Sequence, residues 1–183
     1  MPALLFTPYK MRDLEIENRI VLSPMCQYAA EDGKMTDWHI MHLGQYACSN
    51  IGLIIAEATG VEPRGRISPW CVGLYNDETQ AAMARVVKHC KSLSSSKFGV
   101  QLAHAGRKSP ISPSFMMREI IPVDRGGWVP LCPSDYRDES HPVPHVMTRA
   151  DIEECKRFWV DATRRAAEID VDLIELQIGR AHV

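Results

Sequence analysis

Six consecutive residues, Ser23-Pro24-Met25-Cys26-Gln27-Tyr28, bring a hydroxyl, a thiol, an amide and a phenol together at the end of an apolar run. A proline at a strand end exposes backbone instead of continuing a ladder. On residue types alone the plainer reading is an ordinary βα turn with a buried cysteine, since a free thiol commonly packs as a small hydrophobe. A second cluster is Gln101-Leu102-Ala103-His104-Ala105-Gly106-Arg107-Lys108. Gln101 alternates with apolar neighbours, so its amide is expected to point into the mouth formed by the strand ends. A buried amide needs partners, and a heterocycle with adjacent N–H and C=O edges would supply them, as would neighbouring backbone. His104 and Arg107 read either as ligand contacts or as polar residues of a solvated loop. A third, weaker cluster is Glu57-Ala58-Thr59-Gly60. There the small side chain of Ala58 would let a flat ring approach the backbone, or would simply serve packing.

The elements that must position these residues show in the hydrophobic pattern. Four short runs, Arg19–Pro24, Ile51–Ala58, Phe98–Ala103 and Val171–Leu176, are nearly continuous, as parallel strands covered on both faces are. Helical spacing separates them. The first helix opens at Thr36-Asp37, with Trp38, Met41, Gly44-Gln45 and Cys48 as its stripe. The second is capped by Asp77 and carries Ala81, Ala84, Val87 and Cys90. The third begins at Thr148-x-x-Asp151, a shortened capping box. Ile152, Cys155, Trp159, Ala162 and Ala166 form its buried stripe, with Arg164, Arg165 and Glu168 solvated. Ahead of the first strand, Phe6–Asn18 reads as a hairpin about Arg12-Asp13, suited to closing the bottom of a barrel. The order β-α-β-α-β-α-β fits a parallel α/β fold, a barrel or an open sheet. No G-x-G-x-x-G follows the first strand, so a dinucleotide fold is not supported. Thr59–Asn76 and His104–Met147 are long connections after strand ends, where barrels place their chemistry. The middle of the second, Ser112–Val123, reads as a solvated insertion.

Composition bounds the partners. The chain has 183 residues and a net charge of −2, from 21 basic and 23 acidic residues. That balance offers no footprint for nucleic acid or an anionic membrane, and no apolar run is long enough to span a bilayer. The N-terminus lacks the basic and apolar regions of a secretory signal. The six cysteines (26, 48, 71, 90, 132 and 155) form no C-x-x-C pair. No metal site is expected from this spacing, and a reducing cytoplasm is the expected location.

Three segments in order carry a specific resemblance. They are Asn18-Arg19-Ile20-Val21-Leu22-Ser23-Pro24-Met25-Cys26-Gln27-Tyr28, Gly52-Leu53-Ile54-Ile55-Ala56-Glu57-Ala58 and Gln101 through Lys108. Together they resemble the signature segments of the old yellow enzyme family, and Cys26 points to its bacterial-type ene-reductase branch. The resemblance implies the N-terminal half of a TIM (β/α)8 barrel, with about four parallel strands preceded by a short β-hairpin, over residues 1–176. It implies noncovalent FMN, hydride from NADPH or NADH, and an activated C=C bond of a small enone or enal as acceptor. Ser23, Pro24 and Met25 would line the isoalloxazine ring, Ala58 would contact it, and Gln101 would bond its pyrimidine edge. Cys26 would tune the flavin, and Tyr28 would project over the ring towards the substrate. A homo-oligomeric parent is expected, with no nucleic acid or membrane partner.

The resemblance breaks at the C-terminus. Where the family places a His-x-x-His or His-x-x-Asn pair that binds the substrate carbonyl, this chain has Gln177-Ile178-Gly179-Arg180-Ala181-His182-Val183. Ile-Gly-Arg-Ala-His-Val is the translation of common sequencing-adapter DNA, so residues 177–183 are expected to be non-native, with a histidine belonging at 177. The fragment is then expected to be inactive and poorly soluble. Two rival readings are a related flavin barrel, such as a dienoyl-CoA reductase or an amine dehydrogenase, and a self-associating half-barrel without cofactor.

Overall fold

In the computed structural model, which describes residues 3–113, 115–117, 119–136 and 143–177, the chain opens with a hairpin. Its strands β1 (Tyr9–Met11) and β2 (Leu14–Ile16) turn at Arg12-Asp13, where Arg12 adopts φ 53°. A tight hairpin demands such a left-handed residue. A four-stranded sheet follows. Its members are β3 (Val21–Leu22), β4 (Leu53–Gly60), β5 (Lys97–Ala103) and, after a short parallel pair β6 (Leu131–Cys132) and β7 (His145–Val146), β8 (Leu173–Leu176). The sheet runs β3-β4-β5-β8, every pair parallel. Helices α1 (Asp37–Cys48), α2 (Asp77–Leu93) and α3 (Arg149–Glu168) make the crossovers.

The apolar runs of β4 and β5 are continuous because both faces of these central strands are covered, whereas Val21 of β3 and Leu176 of β8 are exposed. Ile54, Ala56, Phe98, Val100 and Leu102 pack outward against Leu43, Met83, Val87, Ala162 and other helical residues. Leu53 and Ile55 face inward and meet Ile16, with Met11, Leu14 and Leu173 beside them. The hairpin therefore lies across one end of the inner face, as the bottom of a barrel requires. Gly52 fixes the entry of β4. A Cβ there would stand 2.1 Å from the Asn18 carbonyl oxygen. Instead, the Gly52 N–H donates to Asn18 Oδ1 at 2.9 Å, and Asn18 Nδ2 donates to Asn50 O at 2.9 Å.

The helices correct several expectations. In α1 only Gly44 of the expected stripe is buried. Trp38, Met41, Gln45 and Cys48 are exposed, whereas His39, Leu43, Gly44 and Ala47 are buried. Apolar residues occur on both sides of this helix, and the choice is made by His39, which finds a buried carboxylate partner. In α2 the cap is Asn76 and Asp77 is the first helical residue. Asn76 Oδ1 accepts from Thr79 N at 2.9 Å, and Thr79 Oγ1 accepts from Asn76 N at 3.2 Å. Ala81 is exposed, and Met83 and Val86 take the buried positions. The α3 capping box forms as expected, with Thr148 N donating to Asp151 Oδ2 at 2.7 Å. The Thr148 hydroxyl, then His145, holds the Asp151 carboxyl down to about 2. Ile152 is exposed, while Ala162 and Ala166 are fully buried. Arg165, expected in solvent, is half-buried and donates to Asp77 at 2.7 Å and Gln80 Oε1 at 2.5 Å. Small alanines let α3 approach the sheet closely, which draws the arginine stem inward.

The cap assignment separates two neighbouring substitutions. Asn76→Ala should cost about 1 kcal/mol of stability. Asp77→Ala, which removes an exposed carboxylate from its pair with Arg165, should cost less than about 0.5 kcal/mol. Urea midpoints of the two variants check this, and the reverse ranking would return the cap to Asp77.

Candidate active site

The register between β4 and β5 slips at one place, between Ala56 and Ala58. Glu57 is the extra residue of this bulge. Bulges re-aim side chains and occur beside active sites. Here the bulge puts a carboxylate where it is 4% exposed, and two donors meet it. Gln27 N–H donates to Glu57 Oε2 at 3.1 Å, and His39 Nε2 lies 3.2 Å from Oε1. The imidazole tautomer follows from its other nitrogen. Thr36 N–H can only donate, and it sits 2.9 Å from His39 Nδ1. Nδ1 is therefore the acceptor, and Nε2 carries the proton given to Glu57. His42, one turn along α1, is held below the ordinary imidazole value by burial, against the pull of the Glu57 carboxylate.

These bonds fasten the 23–30 loop, which follows β3. It is held at Gln27 by Glu57, at Ala29 O by Thr36 Oγ1 (3.0 Å), and at Ala30 N by Trp70 O (3.0 Å). Between the first two anchors Tyr28 takes φ 53°. A bulky residue in the left-handed region is a genuine outlier, and such strain concentrates at functional sites. The strain turns the phenol ring to Phe115, edge to face, with centroids 5.9 Å apart. Part of the Ser112–Val123 stretch, expected to be a solvated insertion, thus reaches back over the strand ends.

The residues singled out from sequence separate into three groups. Cys26, Tyr28 and Ala58 come together in one cluster with Ile67, Cys71, Ala103, Ala105 and Ile111. Ser23 and Met25 border a narrow cleft with Gln27, His39, His42 and Glu57, and Pro24 is half-buried between them. Gln101 stands directly across the ladder from Ala58, and its Nε2 donates to Glu175 Oε1 on β8 at 2.5 Å. His104 and Arg107 are engaged in holding the loops. His104 Nδ1 accepts from Gly106 N at 3.2 Å, and its Nε2 is 3.0 Å from Glu62 Oε1. Burial acts to raise the Glu62 carboxyl, but hydrogen bonds from His104 and Arg64 outweigh it and hold the group below the usual range. Arg107 donates to Tyr136 O and to Ser134 Oγ and lies over the Tyr136 ring.

Sequence reasoning missed His39, Cys71 and Phe115. Cys71 is fully buried and hydrogen-bonded to Cys26, 45 positions away in the chain. The Cys26 thiol, burial and the Glu57 carboxylate together push the Cys71 thiol well up, against a smaller opposing effect of the Ser68 backbone. Gln177 N–H continues the sheet by donating to Leu102 O at 2.9 Å. The rest of the tail expected to be non-native, 178–183, lies outside the described residues.

Parallel strands in chain order, helices outside and a hairpin beneath define half of a (β/α)8-type barrel, with Cys26, Tyr28 and Ala58 clustered at its strand ends. The chain belongs to the NADH:flavin oxidoreductase / NADH oxidase family, whose model matches residues 4–181. It is 39% identical to an NADH:flavin oxidoreductase of Gibberella zeae, over 97% of this chain and 44% of that protein. It is 37% identical to an NADPH dehydrogenase of Geobacillus thermodenitrificans, over 100% of this chain and 50% of that one. The fold matches the old yellow enzyme from Pichia sp. AKU4542 with TM-score 0.80 and 25% identity, covering 96% of this chain and 46% of that one. The chain thus spans about half the length of the curated relatives it matches.

Glu57→Gln tests the anchoring. Both faces of the carboxylate receive donors, so an amide must turn its NH2 towards one of them. The cost should be about 1–3 kcal/mol, with faster amide exchange at Gln27. Unchanged stability and exchange would mean the loop is held without Glu57.

Proposed function

We propose that the protein binds FMN noncovalently at its strand ends and passes hydride from NADPH or NADH to the activated C=C bond of a small α,β-unsaturated carbonyl compound. The observation that supports this most directly is the convergence of Cys26, Tyr28 and Ala58 in one cluster, with Gln101 beside Ala58 across the ladder. The residues present fit a flat ring. Ala58 is a small side chain at the end of β4, Ser23 and Met25 are exposed at the end of β3, and Gln101 stands across the ladder from Ala58. Bound FMN supplies a reversible two-electron hydride carrier.

The chain's own residues do the rest. The Ser23-Pro24-Met25 backbone lines one side of the ring, where proline leaves no ladder partner to compete. Gln101, whose Nε2 donates to Glu175 Oε1, would offer its amide to the pyrimidine edge and stabilise the negative charge of a reduced flavin. The Cys26 thiol, half-buried beside Ala58, tunes the potential of the ring. Tyr28, held in its strained conformation and braced by Phe115, presents its phenol to the substrate. The strand ends would hold a bound flavin and substrate against each other for hydride transfer. Among the described residues no helix is long and apolar enough to cross a membrane. A net charge of −2 suits a small-molecule partner better than nucleic acid. Cytoplasmic location and a homo-oligomeric assembly complete the proposal.

The test uses the protein expressed from its whole gene. It should purify yellow, release free FMN on denaturation, and oxidise NAD(P)H faster when cyclohexenone is added. Gln101→Ala should weaken FMN about fivefold, the equivalent of one hydrogen bond of about 1 kcal/mol. Cys26→Ala should shift the flavin reduction potential while turnover persists. A colourless protein that takes up no FMN would overturn the reading.

A further inference from the structure

The Cys26 and Cys71 sulfurs and a Glu57 carboxylate oxygen all lie within 4.8 Å of one another. They come from three segments: the loop after β3, the connection between β4 and α2, and the bulge of β4. Glu57 and Cys71 are buried, and Cys26 is half-buried. Two thiols and a carboxylate are a donor set for a soft, zinc-like divalent ion, and three protein ligands leave a fourth position open. With bond lengths of about 2.0–2.3 Å, tetrahedral donors stand about 3.5–3.8 Å apart. The three atoms need to close in by only about 1 Å to reach that spacing.

An outer layer is already built. His39 and the Gln27 N–H fix the orientation of the Glu57 carboxylate, and the Ser68 backbone bonds to Cys71. Ligands of metal sites are commonly oriented this way. Among the described residues, the Ser68 hydroxyl is itself buried without a hydrogen-bond partner, three positions before Cys71.

The geometry points to a metal site: Cys26, Cys71 and Glu57 bind one soft divalent cation of the zinc or cadmium class. Binding exchanges the two thiol protons for two metal–sulfur bonds, releases two protons to solvent and involves no change of oxidation state. The site does not rest on the flavin reading, because all three donors are side chains of this chain. A bound ion takes the Cys26 thiol, so metal loading and flavin tuning become alternative uses of one side chain. Soft metals would then act on the strand-end site directly.

The probe is cadmium alone, added to the protein expressed from its whole gene after removal of flavin and metals. A thiolate-to-cadmium charge-transfer band should rise and saturate at one equivalent. Cys71→Ser should lower cadmium affinity more than about tenfold, the lower end of what losing an outer-layer partner costs. Cys48→Ser, which removes an exposed thiol, should change nothing. In the unaltered protein, zinc should protect Cys26 from alkylation while Cys48 still reacts, a readout that survives if Cys71→Ser does not fold. The proposal is overturned by unchanged cadmium affinity in Cys71→Ser, by no band at one equivalent, or by equal alkylation of Cys26 with and without zinc. A Cys26–Cys71 disulfide formed in place of metal uptake would also overturn it and make the pair a redox couple.

Discussion

A single buried carboxylate organises the strand-end face. Glu57 sits in the bulge of β4, where the sheet would otherwise continue as a plain apolar ladder, and it accepts from one backbone N–H and one imidazole. A buried charge is costly unless its hydrogen bonds are complete, so the carboxylate dictates where its donors stand. Through Gln27 it holds the loop bearing Cys26 and Tyr28. Through His39 it sets the rotation of α1 about its axis. Strand, loop and helix are thereby fixed relative to one another by groups that need not touch a ligand.

That constraint also marks the limit of what the amino-acid pattern discloses. The four strands, their parallel order and the hairpin are legible because burial on both faces leaves uninterrupted apolar runs such as Leu53-Ile54-Ile55-Ala56. Helix ends are legible where capping is local, as at Thr148 and Asp151. The face of α1 is not legible. Its apolar residues lie on both sides, and the deciding contact, His39 to Glu57, joins residues on different elements. Asp77 looks like a cap, but Asn76 beside it has the extended backbone a cap needs, φ −147° and ψ 177°.

The candidate site shows the same division. Cys26, Tyr28, Ala58 and Gln101 stand out as unusual types at strand ends, and three of them share one cluster in the structure. Cys71 lies in a connection with no spacing motif, so nothing in the pattern links it to Cys26. Phe115 lies in a long connection without helical or strand periodicity, and only the fold brings it to Tyr28. Long-range neighbours of this kind are set by the path of the loops, which local propensity does not encode. The strained φ of Tyr28 is likewise a product of anchors on both sides of it, at Gln27 and Ala29.

The Glu57–His39 pair holds the 23–30 loop in the shape we propose for cofactor binding. The most direct measurement is FMN affinity by calorimetry in the protein expressed from its whole gene, unaltered and as His39→Ala. Removing the imidazole leaves one carboxylate oxygen unpaired and frees the loop anchor. Affinity should fall roughly tenfold, the equivalent of about 1.4 kcal/mol, with the fold retained by circular dichroism. Equal affinity in a folded His39→Ala protein would contradict the account and leave the strand ends themselves as the whole of the binding surface.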